Sequence, residues 1–165
     1  MPFELSEESR KEIEREIGRY PVKDAALLPV FWIIQNEKGC VDDEAVDYIA
    51  DLFGFSQAKV LGVLTFYWML RRKPAGKYVI SVCKNISCYL RGFDNILTHT
   101  QNLLKIKAGE TTKDGLFTLQ LAECLGSCGT APMMMVNDHY YENLTNQKVT
   151  ELIEGWRKEA MTNVK

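Results

Sequence analysis

Cys83 and Cys88 form a C-x4-C pair, Cys124 and Cys128 form a C-x3-C pair, and 35 residues separate the two. Each pair follows a short apolar run that reads as a strand, "YVISV" before the first and "LFTLQLA" before the second. If the two strands are neighbours, their outgoing loops share one edge of a sheet, and four thiolates can converge there. This constrains the fold of the second half of the chain more than any other feature.

The residues around these strands support such a layer. Phe93 to Leu104 reads as a helix, and the turn "TTKDG" leads into the strand Leu116 to Ala122. Met133 to Val136 and His139 to Glu142 flank Asn137-Asp138, a hairpin signal. Thr145 or Asn146 caps a last helix whose Val149, Leu152, Ile153 and Trp156 form one apolar stripe. The triple Met133, Met134, Met135 reads as a strand buried on one or both faces.

The first 70 residues have helical texture instead. Ser6 caps a helix carrying Ile13 and Ile17, which Pro21 stops. Asp24 is a candidate cap for a second helix with Leu27, Leu28, Phe31 and Ile34 on one face, ending at Gly39, with Pro29 near its start. Asp42 or Asp43 opens a third, closed by Gly54, and Ser56 caps a fourth carrying Val60, Val63 and Leu64. The charged connector "RRKPAGKY" then marks a boundary. The fold class is therefore α+β: a small helical bundle over 1–73, then an α/β domain with a mixed sheet over 74–165.

Composition narrows the function. With 20 basic and 22 acidic side chains, net charge −2, the chain lacks the cationic excess that neutralises a phosphate backbone. "VDYIADLFGFSQAKVLGVL" has a helix-turn-helix rhythm, but Gln57 and Lys59 are the only polar readers on its second helix. It reads as bundle packing, and nucleic acid is not an expected partner. The start is acidic and amphipathic, unlike a secretory signal, so a cytoplasmic location is expected. The longest apolar runs reach about ten residues against roughly 20 for a membrane span, so any membrane link is expected through a partner.

Five cysteines, an odd number, in a reducing compartment point away from structural disulfides. Cys40, alone in a helical region, reads as a buried small hydrophobe. For the other four, a thioredoxin-type catalyst needs C-x-x-C, which neither pair supplies. An all-cysteine zinc site stays open, although His99 and His139 both fall outside the loops. A 2Fe-2S cluster takes four thiolates on loops able to wrap it, and its negative charge calls for inward backbone N–H groups and nearby cations. Gly126 and Gly129 let the second loop turn, Ser87 and Ser127 offer hydroxyls, and Lys84 and Arg91 border the first loop.

"CKNISCYLRG", with Leu90 and Gly92 after the C-x4-C pair, and "GETTKDGLFTLQLAECLGSCGTAPMMMVND" over 109–138 resemble the NuoE-like 2Fe-2S subunit of respiratory complex I, a thioredoxin-like ferredoxin family. Matching positions include Gly109, Glu110, Thr112, Asp114, Gly115, Phe117, Glu123, Leu125, Gly126, Ala131, Pro132 and Val136 to Asp138, and "GVLTFY" over 62–67 resembles the motif closing the family's bundle. Leu70 departs from the family's usual aromatic, which bears on bundle packing.

The resemblance implies a thioredoxin-like domain with Cys83, Cys88, Cys124 and Cys128 as ligands of a 2Fe-2S cluster, and Pro132 as a candidate cis proline. It also implies an electron-transfer subunit of NADH:quinone oxidoreductase, exchanging one electron with FMN on a NuoF-like partner that binds NADH. The complex would sit peripherally on the cytoplasmic side of the inner membrane. The chain itself shows no G-x-G-x-x-G after a strand and no nucleophile with a base, so no catalytic residue is assigned. An equivalent diaphorase subunit of an NAD-linked hydrogenase or formate dehydrogenase, or a zinc-stabilised scaffold, are the alternatives.

Overall fold

The computed structural model describes residues 3–162, in two compact units, the first running to Pro74 and the second from Ala75.

The first unit is a bundle of four helices: α1 (Glu7–Arg19), α2 (Leu27–Lys38), α3 (Asp43–Phe53) and α4 (Gln57–Phe66). Three of them start on a side chain that accepts from an otherwise unsatisfied backbone N–H: Ser6 from Ser9, Asp42 from Ala45 and Ser56 from Lys59. The expected cap at Asp24 does not form. Asp24 lies inside a 3-10 turn, Lys23–Ala26, and its carboxylate pairs with Lys59 Nζ at 2.6 Å, so the side chain serves a tertiary contact instead. Pro29 sits in the first turn of α2, where its missing N–H costs no helical bond.

The bundle core is built from Ile13, Leu27, Val30, Phe31, Ile34, Val46, Ile49, Val60 and Leu64, with Leu70 also buried in it. Buried Gln35 ties the segment after α4 to α2, donating to the Met69 carbonyl at 3.2 Å and accepting from Arg71 N at 2.6 Å. Cys40 is 4% exposed, in keeping with a small core hydrophobe. No single helix among the described residues is long and apolar enough to cross a membrane; α3 and α4 would suffice together but bend by 118° and bury their apolar faces in the core.

The second unit is a four-stranded mixed sheet of β1 (Tyr78–Cys83), β2 (Phe117–Ala122), β3 (Met134–Val136) and β4 (His139–Tyr141), ordered β2-β1-β3-β4. It carries helices α5 (Ile86–Leu90), α6 (Phe93–Leu104) and α7 (Asn146–Thr162). β1 runs parallel to β2 and antiparallel to β3, and β3 pairs antiparallel with β4. All six β1 residues are buried, the pattern of a strand covered on both faces. Val149, Ile153 and Trp156 of α7 join Phe93, Ile96 and Leu104 of α6 in its core. The Tyr78, Phe117 and Trp156 rings form a three-way cluster, with Tyr78 stacked on each of the others at centroid distances of 5.6 and 5.5 Å and those two 6.5 Å apart.

The bundle followed by a mixed α/β layer agrees with the fold class expected from sequence. One detail differs. The five-residue helix α5 has no counterpart in the sequence pattern; Asn85 caps it by accepting from Ile86 N, and Cys88 therefore sits on a helical turn, not in an open loop. Of the two expected candidates for the α7 cap, Thr145 is the one that forms it, accepting from Lys148 N at 3.2 Å. Asn137 adopts φ 51° in the hairpin turn, and its side chain accepts from Val79 N and donates to the Lys77 carbonyl, sealing the start of β1.

Candidate metal centre

The β1–β2 register sets the site. Cys83, the last residue of β1, stands opposite Ala122, the last residue of β2, two positions before Cys124. Lys84 N continues the ladder by donating to the Ala122 carbonyl at 2.9 Å, and Lys84 Nζ then pairs with the Glu123 carboxylate at 2.7 Å. The parallel strands thus deliver both cysteine-bearing loops to the same edge. The ion pair is solvent-exposed and stabilises the arrangement only weakly, but it commits the Lys84 charge to Glu123. Arg91, the other cation beside the first loop, is exposed.

The thiols occupy two depths. Cys83 and Cys88 are buried, whereas Cys124 and Cys128 are exposed at the rim. Burial pushes the Cys88 thiol up to about 11; its hydrogen bond with Cys83 and the proximity of Cys83 and Cys128 act in the same direction, while the Met133 backbone opposes them. Cys88 thus lies close to Cys83 of its own pair and to Cys128 of the other. The Ala131-Pro132 bond is cis, and Pro132 joins the second cysteine turn to β3. Met133 and Met134 are buried and Met135 half-buried, so the methionine run is core.

The second loop is shaped by a glycine and by contacts from distant residues. Gly126 adopts φ 80°, a conformation that L side chains rarely take, and lets the chain reverse between Cys124 and Cys128. Cys128 opens a 3-10 turn, Cys128–Thr130. Ser127, expected as a free hydroxyl donor, donates instead to the Glu142 carboxylate, which also accepts from Thr130 Oγ1 at 2.7 Å. Tyr140 Oη donates to the Leu125 carbonyl at 2.7 Å. Sequence reading misses Glu142 and Tyr140, because their contacts span 12 to 15 residues and no local motif marks them.

His99 lies on α6, bonded to Thr150 Oγ1 at 2.8 Å, and His139 on β4, so neither belongs to the cysteine loops. Among the described residues, no three or more His, Cys, Asp or Glu side chains are grouped as ligands of one metal ion. Four thiolates supplied in pairs by two loops are the donor set of an all-cysteine zinc site and equally of a 2Fe-2S centre, which takes two thiolates per iron.

Comparison with known proteins accords with this chemistry. The family model of the thioredoxin-like 2Fe-2S ferredoxin matches residues 13–157. The chain is 38% identical over 156 residues to the second E-type subunit of NADH-quinone oxidoreductase from Rhizobium meliloti (strain 1021), covering 94% of this chain and 93% of that protein. It is 38% identical over 155 residues, with the same coverage, to the E-type subunit of NADH-quinone oxidoreductase from Escherichia coli (strain K12). Crystal structures of an NAD+-reducing NiFe hydrogenase share the fold at 19% identity. The air-oxidised form gives a TM-score of 0.67 over 82% of this chain, and the H2-reduced form 0.70 over 80%. The chain spans 22% of the hydrogenase chain. With its helical bundle, its mixed sheet and two cysteine pairs at one sheet edge, the chain belongs to the NuoE-like branch of the thioredoxin-like 2Fe-2S ferredoxin family, whose cofactor is a 2Fe-2S cluster.

Proposed function

We propose that this chain is the electron-transfer subunit of an NADH:quinone oxidoreductase, with Cys83, Cys88, Cys124 and Cys128 holding its 2Fe-2S cluster. The observation that carries this reading is the parallel register that sends both cysteine pairs out over the same sheet edge. When bound, the cluster supplies a one-electron couple, whereas NADH delivers two electrons as hydride; a flavin on a partner has to stand between them. The chain's own residues build the receptacle: Cys83 and Cys88 give its buried side, Cys124 and Cys128 its exposed side. An electron can then be exchanged at the rim while the inner thiolates are shielded from water. The partner would be a NuoF-like subunit binding FMN and NADH, and the assembly would lie on the cytoplasmic face of the membrane.

A diaphorase role in a hydrogenase is the second reading, favoured by the shared fold of the NAD+-reducing hydrogenase. Identity of 38% across nearly the whole length of the NADH-quinone oxidoreductase relatives supports the first. Affinity purification from the native host, with identification of the large co-purifying chains, separates them. Quinone-reductase subunits are expected; a NiFe hydrogenase subunit in their place would overturn the choice.

A further inference from the structure

We propose that Glu142 is a positioning residue for the second cysteine loop, and that its carboxylate makes electron addition at the site less favourable. This rests on the proposed cluster ligation. Glu142 lies just beyond β4, 14 residues after Cys128, yet its carboxylate accepts from both hydroxyls that bracket that cysteine, Ser127 Oγ and Thr130 Oγ1. The two hydroxyls also lie 2.7 Å from each other, and Thr130 Oγ1 reaches the Ser127 carbonyl at 3.2 Å. The Cys128–Thr130 turn is thus closed around one carboxylate.

The surrounding backbone reinforces the placement. Asn143 N donates to the Thr130 carbonyl at 2.7 Å and Leu144 N to the Pro132 carbonyl at 2.9 Å, so the segment after β4 is stitched along the same loop. Tyr140 fixes the other end through Leu125. The hydroxyl bonds hold Glu142 below its ordinary carboxylate range, which keeps it anionic. Lys148, whose ammonium donates to the Glu142 carbonyl oxygen at 2.7 Å, is the nearby cation that tempers this charge.

Ligand-loop shape and nearby charge are the means by which a protein tunes an iron-sulfur potential. A fixed anion bonded to the turn that carries Cys128 opposes the negative charge gained on reduction. Glu142→Gln retains an oxygen acceptor for the hydroxyls and removes the charge. Lys148→Met removes the tempering cation.

The test is redox titration of the anaerobically purified full-length chain and both variants, followed by the electron paramagnetic resonance of the reduced cluster, with far-ultraviolet circular dichroism as the check on folding. Glu142→Gln is expected to favour the reduced form by roughly tenfold, about 59 mV positive for one electron, and Lys148→Met to move the potential the opposite way. Unchanged potentials in both folded variants would overturn the inference while leaving the cluster assignment intact. Absence of any reduced-cluster signal in the unsubstituted protein would instead remove the ligation it rests on. Should Glu142→Gln fail to fold, Thr130→Val, which removes one of the two hydroxyl bonds that fix the carboxylate, takes its place: a positive shift supports the inference and no shift overturns it.

Discussion

Cys83 stands across the parallel ladder from Ala122, two residues short of Cys124. Because the chain leaves both strands at the same level and in the same direction, a 35-residue gap in sequence closes to one sheet edge. The four cysteines of the two loops are proposed as one set. Replacing Cys83, Cys88, Cys124 or Cys128 with Ala is expected to abolish the visible absorption and iron content of the purified protein in each case. Cys40→Ala, in the other unit's core, should leave both unchanged. Bleaching by Cys40→Ala together with retention in any one of the other four would show that the ligand set is misassigned.

The approach to β1 has its own steric limit. A Cβ at Gly76 would lie 2.8 Å from the Phe117 backbone carbon and 2.9 Å from the Leu116 carbonyl, while Gly76 N donates to Thr118 Oγ1 at 2.7 Å. Backbone cannot yield as a flexible side chain can. Gly76→Ala is expected to cost about 1–3 kcal/mol in urea unfolding, and an unchanged midpoint would show that the entry to β1 is looser than described.

Leu119 is fully buried on β2, one of the two strands that aim the cysteines. Leu119→Ala removes a core side chain and leaves a cavity, so a loss of about 2–5 kcal/mol is expected. Chemical denaturation measures it; a loss below about 1 kcal/mol would contradict the packing.

Glu37 joins α2 to the start of α1. Its carboxylate is held down to about 2 from an ordinary value near 4.5, first by the Ser9 hydroxyl, against the opposing effect of burial, and then by the Ser6 N–H and hydroxyl and by Lys38. A depressed carboxylate stabilises the fold above its unfolded pKa and loses that contribution as pH falls toward the folded one. Glu37→Gln should therefore cost about 1 kcal/mol at neutral pH after allowance for solvent screening. The difference from the unsubstituted protein should narrow between pH 4.5 and about 2. Parallel urea titrations at pH 7 and pH 3 check both points, and a gap that widens in acid would contradict the assignment.

Much of this is legible in the sequence, and two of the exceptions share a cause. Ser6, Asp42 and Ser56 announce their helices because capping is a bond to an N–H three residues away. The Asn137-Asp138 turn and the strand-end cysteines are equally local signals. Asp24 reads as a cap by the same rule, yet Lys59, 35 residues away, claims its carboxylate. Ser127 likewise reads as a donor free for a cluster until Glu142 is seen across 15 residues. Local chemistry marks where elements begin; it does not say which polar side chain a distant residue will engage. The short helix α5 escapes for another reason, since five residues carry too little periodicity to declare themselves.

The central claim is that four thiolates of this chain hold a 2Fe-2S cluster. Electron paramagnetic resonance of the anaerobically purified, dithionite-reduced chain, quantified against its iron and zinc content, tests it most directly. About two irons per chain and one rhombic or axial signal integrating to about one spin are expected. Stoichiometric zinc with no reduced-cluster signal would contradict the claim.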